Sequence, residues 1–100
     1  MYEQFITRTK ERELFLYAAN KNMAEFIKVL RKIGFSGVIN VFDSFKTEEI
    51  LGIRINKPHA GVLKDKRVIV FAERQWAHIE KSLSDMGAIP VSIKNLEQML

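Results

Sequence analysis

Apolar residues fall along this chain in short, separated blocks whose internal spacing alternates between two kinds. Leu14-Phe15-Leu16-Tyr17-Ala18, Val38-Ile39-Asn40-Val41-Phe42 and Val68-Ile69-Val70-Phe71-Ala72 are near-continuous runs of strand length, the pattern of strands covered on both faces of a parallel sheet. Between them, Met23, Phe26, Ile27, Leu30 and Ile33 recur at three-and-four spacing, as do Trp76, Ile79, Leu83 and Met86 further on. Each set makes one buried face of a helix. Gly34 and Gly87 stand where these helices should end, because glycine accepts the left-handed conformation needed just past a helix C-terminus.

The remaining pattern completes the outline. Tyr2, Phe5, Ile6 and Thr9 share one side of a short helix over about residues 2–9, which runs into the charged stretch Lys10-Glu11-Arg12-Glu13. After the second strand, Thr47 is placed to cap a turn over Glu48-Glu49-Ile50-Leu51, Gly52 to stop it, and Ile53-Arg54-Ile55 to form a short edge strand. Ile89-Pro90-Val91-Ser92-Ile93 reads as a last strand, with proline tolerated at an edge. Asn95 is positioned to cap a closing helix bearing Leu96, Met99 and Leu100. The alternation of strands with helices over short connections predicts an α/β domain. Its architecture is a three-layer, doubly wound open parallel sheet of about four or five strands with flanking helices. One domain spans residues 1–100, its core over about 13–93, since no repeat, linker or low-complexity segment divides the chain.

Composition adds exclusions. The chain has no cysteine, which removes disulfides, thiolate nucleophiles and cysteine metal sites, and fits a reducing compartment. No apolar run approaches the roughly 20 residues that cross a bilayer, and the early acid Glu3 is out of place in a secretory leader. The expected location is the cytoplasm. A net charge of +4 invites a nucleic-acid reading. Yet the cations are scattered, and the densest run, Lys64-Asp65-Lys66-Arg67, is broken by an acid, so nucleic acid is not the expected partner.

In an open α/β sheet, ligands bind beyond the carboxyl ends of the strands, where the strand order reverses. Candidate residues are therefore Asn20, Lys21 and Asn22 after the first strand, Asp43 and Ser44 after the second, and Arg74 after the third. The first loop stands where a glycine-rich phosphate loop would, but Ala18, Asn20 and Met23 occupy the glycine positions. Asn20 is able to adopt positive φ, Lys21 adds charge, and a helix N-terminus offers N–H groups to an anion. The alternative is a capped helix, with Asn20 or Asn22 as its cap, that binds nothing. Asp43 sits where an acid accepts bonds from a ribose, yet it is equally a good turn opener. His59 and His78 are isolated, no metal-ligand spacing occurs, and no serine lies in a nucleophile turn. Trp76, on the apolar face of its helix, reads as core.

Leu14 to Asn20, Phe26 to Leu30, Phe35 to Val38, Phe42-Asp43-Ser44, Ile50-Leu51-Gly52-Ile53, Val68 to Ala72, Trp76 to Ile79 and Met86-Gly87 together resemble a small Rossmann-like domain. That domain occurs at the N-terminus of sugar O-acyltransferases and in related modules of surface-polysaccharide methyltransferases and glycosyltransferases. The family's glycine loop is Tyr17-Ala18-Ala19-Asn20 here. The resemblance implies an accessory nucleotide- or nucleotide-sugar-binding module of carbohydrate modification, non-catalytic alone. By that resemblance, Asp43 would lie near a nucleotide ribose and Asn20 to Asn22 would form the phosphate turn. No particular cofactor is implied. The alternative is a structural module whose ligand site has decayed and whose free edge or apolar helix face makes a homodimer.

Overall fold

The computed structural model describes residues 2–100. In chain order the elements are α1 (Glu3–Arg8), β1 (Glu13–Tyr17), α2 (Lys21–Ile33), β2 (Val38–Phe42), β3 (Glu49–Ile50) and β4 (Ile53–Asn56). They continue with α3 (Ala60–Leu63), β5 (Arg67–Val70), α4 (Trp76–Asp85), β6 (Ile89–Ser92) and a closing 3₁₀ segment (Ile93–Met99). The strands form one mixed sheet in the order β3-β4-β2-β1-β5-β6. All neighbours are parallel except β3 against β4. β1 lies at the centre, with Glu13 opposite Val38 on one side and Phe15 opposite Val68 on the other.

The period-two alternation of a strand divides the core into two layers. Leu14, Leu16, Val41 and Ile69 join Phe5, Met23, Phe26, Ile27 and Leu30 on the face covered by α1 and α2. Phe15, Phe42, Val68 and Val70 join Leu63, Ile79 and Leu83 on the other. Phe26 is the hub of the first layer. Its ring meets Tyr2 edge-on at 5.1 Å and Phe71 at 5.3 Å, which adds specific ring contacts to the roughly 1.5–3 kcal/mol its burial contributes.

α2 begins at Asn20, whose side chain accepts from Met23 N–H, and ends at Gly34 with φ +89°. The N–H groups of Gly34 and Phe35 bond back to the last turn, a closure that needs the left-handed residue. β6 tolerates Pro90 because it is the edge strand. Ile89 N–H donates to Lys66 O, so the next residue's missing N–H faces away from the ladder.

Three expectations are corrected. The sheet has six strands, not four or five. The stretch after β2 is a β3–β4 hairpin rather than a capped turn, so Ile53–Asn56 is an inner strand beside β2, and Glu49–Ile50 is the edge. The tight connection is made by Leu51 at φ +50° and Gly52 at φ +83°, the paired positive angles of a two-residue hairpin turn. Leucine rarely signals such a turn. Last, Ser92 rather than Asn95 caps the closing segment. Ser92 Oγ accepts from Lys94 N–H, and Asn95 is itself a non-helical kink inside it. Short α3, which carries fully buried Leu63 across the sheet, has no counterpart in the apolar periodicity.

Candidate functional site

The relative order of the parallel strands reverses at β1: from β1 the chain moves outward to β2 and β4, then returns to β5 and β6 on the opposite side. The loops that follow β1, β2 and β5 therefore meet at one end of the sheet, as the strand pattern predicts.

The first loop is short and strongly held. Ala18 takes φ +81°, while Asn20, expected to supply the positive angle, has φ −118°. The turn thus keeps a left-handed residue where a glycine would serve, two positions earlier than Asn20, and fills it with alanine. Ala18 is buried in the core beside Ala19, so the methyl group offsets part of the conformational cost. Asn20 faces both ways: its Oδ1 accepts from Met23 N–H at 3.1 Å, and its Nδ2 donates to Phe71 O at 3.0 Å. One side chain therefore caps α2 and ties the first loop to the end of β5. Asn20 rather than Asn22 is the cap, and Lys21 and Asn22 project as exposed residues of the first turn.

Asp43 is partly buried and fully engaged with backbone. Its Oδ2 accepts from Ala19 N–H at 2.9 Å, and its Oδ1 accepts from Phe45 N–H at 2.8 Å and Lys46 N–H at 2.9 Å. Burial pushes this carboxyl up, but the three N–H donors and the neighbouring Lys46 charge outweigh it and hold the group below its ordinary value. Lys46 answers from the same turn, its Nζ donating to Ala19 O at 2.7 Å. Both polar groups of the Ala19 residue are thus taken by side chains of the second loop.

Ser44 has its hydroxyl 2.6 Å from that of Tyr17. The pair lies in a cleft of about 500 Å³ that is completed by Phe45, Gln75, His78, Ile79 and Ser82. Phe45 is 89% exposed, an unusual position for a large ring with no core to join. Arg74 lies elsewhere, in a second cleft of about 400 Å³ with Asn20, Asn22, Glu73 and Gln75. The structure therefore brings Asn20, Asn22 and Arg74 together, and separately Ser44 with Tyr17. Gln75 is common to both clefts. Lys21 and Asp43 line neither.

Sequence reasoning missed Tyr17, Phe45, Lys46 and His78. A signal existed for two of them. Asp43-Ser44-Phe45-Lys46 is the spacing at which an aspartate caps the N–H groups two and three residues on, and a phenylalanine amid six polar neighbours has no core reason to be there. No group of three or more metal-ligating side chains is gathered among the described residues, and none of their helices is long and apolar enough to cross a membrane. No family model, curated protein or solved structure matches the chain.

Proposed function

We propose that this chain is a Rossmann-like accessory module that binds a nucleotide or nucleotide-sugar in carbohydrate modification, with no catalysis of its own. The observation that carries the reading is the pair of adjoining clefts at the reversal of strand order, joined at Gln75. The parallel strands run β4-β2-β1-β5-β6, the relative order of dinucleotide-binding sheets, and ligands in such sheets lie at this reversal. The Asn20–Asn22–Arg74 cleft suits an anionic group, since Arg74 and the first turn of α2 line it and the one carboxylate there, Glu73, is paired with Lys94. The cleft beside Phe45 suits a flat or ring-shaped moiety edged by hydroxyl and amide groups. Carbohydrate modification enters through the resemblance to sugar-enzyme modules of the strand-and-helix pattern, with Asp43 after β2 and Leu51-Gly52-Ile53 beyond it. The Ser44 hydroxyl is bonded to a phenol rather than to a base, an arrangement that favours binding over nucleophilic attack.

Calorimetric titration with nucleoside diphosphates and their sugar conjugates tests the reading. One class should bind, with amide shifts concentrated at Asn20, Asn22, Ser44 and Gln75, and Arg74→Ala should weaken it by about tenfold, as loss of a charge-assisted contact does. Silence across the panel overturns the reading.

A second reading, a self-associating structural module, is favoured by one feature. Edge strand β6 carries Ile89, half exposed beside Pro90, apolar surface that a second copy would cover. Sedimentation velocity over a wide concentration range separates the two readings.

A further inference from the structure

Glycine loops of ligand-binding α/β sheets are shaped by backbone freedom, and this chain lacks the glycines, so something else must hold its first loop. Ala18 sits at φ +81° without glycine's freedom, and the next residue has both its N–H and its C=O captured by side chains, Asp43 on one and Lys46 on the other. Asp43 also accepts the N–H groups of Phe45 and of Lys46 itself. These bonds make a closed circuit: Ala19 N–H to Asp43, Asp43 to Lys46 N–H, and Lys46 Nζ back to Ala19 O. The circuit spans two loops that are 24 residues apart in sequence.

We propose that Asp43 and Lys46 form a lock that positions the first loop in place of the missing glycine turn, and that Asp43 consequently leaves a ligand's ribose hydroxyls unread. Three of the four lone-pair positions of its carboxylate are occupied by backbone donors. Both acidic oxygens point into the lock rather than into either cleft, whose linings exclude Asp43. Discrimination by this site then falls to the groups that do line the clefts: Asn20, Asn22 and Arg74 in one, Tyr17, Ser44 and Gln75 in the other. The ribose part of the inference rests on the nucleotide reading above, and the lock does not.

Two measurements on the full chain decide it. Amide exchange followed by NMR compares wild type, Asp43→Asn and Lys46→Met, with the Ile89 amide, bonded to Lys66 O far from the lock, as internal standard. Asp43→Asn should accelerate exchange at Ala19, Phe45 and Lys46 by at least about tenfold relative to Ile89, as expected for lost bonds to a charged acceptor. Lys46→Met, the milder change, removes only the Nζ bond to Ala19 O and leaves the Ala19 N–H on Asp43; by loosening the loop it should accelerate Ala19 by a smaller factor, and it decides the matter if Asp43→Asn does not fold. Unchanged relative exchange at these amides overturns the lock. In the second measurement, UDP and 2′-deoxy-UDP are titrated into wild type and Asp43→Asn. Equal affinity within about twofold in wild type, with both ligands weakened by the same factor in the variant, is expected if no hydrogen bond distinguishes them. A wild-type preference of about tenfold or more for UDP that vanishes in Asp43→Asn overturns the ribose claim. If neither probe binds, the same comparison is made with the nucleoside diphosphate of the panel above that does bind and its 2′-deoxy form; silence across that panel overturns the nucleotide reading and with it the ribose claim, while the exchange data still judge the lock.

Discussion

The centre of the sheet and its β3–β4 margin are built from similar residues under different constraints. In β1, Leu14, Phe15 and Leu16 are all buried, because α2 covers one face and the α3–α4 side covers the other. In β4, Ile55 is buried and Ile53 half-buried, whereas Arg54 and Asn56 are exposed. One strand is enclosed, the other one-sided. An enclosed strand has no freedom of register, since a slip by one residue gains nothing and loses every packing partner. A short one-sided strand depends instead on its turn. Stability should therefore reside in β1, and adaptability in the margin and the loops above it.

The largest expected effect tests this directly. Leu16 is fully buried, so Leu16→Ala should cost about 3–5 kcal/mol by lost transfer energy and a residual cavity. Ile53→Ala, at a half-buried site on the margin, should cost about 1 kcal/mol. Urea denaturation of both variants measures the ratio. Equal losses would break the comparison.

The same contrast explains what could be read from sequence. The strand character of Leu14 to Tyr17 and Val68 to Val70 was legible, because a short apolar run bounded by charged residues or turn signals and rich in aromatic or β-branched side chains suits an enclosed strand. α2 was equally legible through its periodic face and its Asn20 and Gly34 ends. Residues 43–56 were not. Glu48, Glu49 and Ile50 resemble the start of a helix turn, and the hairpin depends on Leu51 accepting a positive φ, which tertiary pairing of β4 with β2 imposes and local preference opposes. The site was legible in part for the same reason. Strand order named the loops, and Asn20 and Asp43 were visible as polar residues at strand ends. That Asp43 turns inward to backbone donors is a matter of three-dimensional closure, as is the return of Lys46 to Ala19.

The next effect concerns the loops that join centre and margin. Asp43 has a carboxyl held below its ordinary value in the folded chain, so the unfolded chain binds a proton more readily than the folded one. Its contribution is then complete above the unfolded value near 4 and is lost as pH falls through the lower folded value. Removing the charge by Asp43→Asn should cost about 1–3 kcal/mol at neutral pH, and the variant's melting temperature should fall less than wild type's between pH 5 and pH 3. Parallel acid profiles would mean that the three N–H bonds do not favour the ionised carboxylate.

The smallest effects separate the two left-handed alanine and leucine positions, one central and one marginal. At Ala18, glycine would relieve about 1–2 kcal/mol of left-handed strain. It would also forfeit about 0.8 kcal/mol of buried methyl and about 0.5–1 kcal/mol of chain entropy. Ala18→Gly should therefore leave stability nearly unchanged, because the enclosed centre has already offset its strain by burial. Leu51 has less such compensation, being 38% exposed at φ +50° next to Gly52, where Ala18 is buried. Leu51→Asn creates the Asn-Gly pair that suits a two-residue hairpin turn, and the relief of strain should exceed the loss of a partly buried side chain by about 0.5 kcal/mol. A small rise in melting temperature for Leu51→Asn beside none for Ala18→Gly is the expected result. A rise at Ala18 instead would place the unrelieved strain in the central loop, and would mean that the Asp43–Lys46 contacts hold that loop against its own backbone preference.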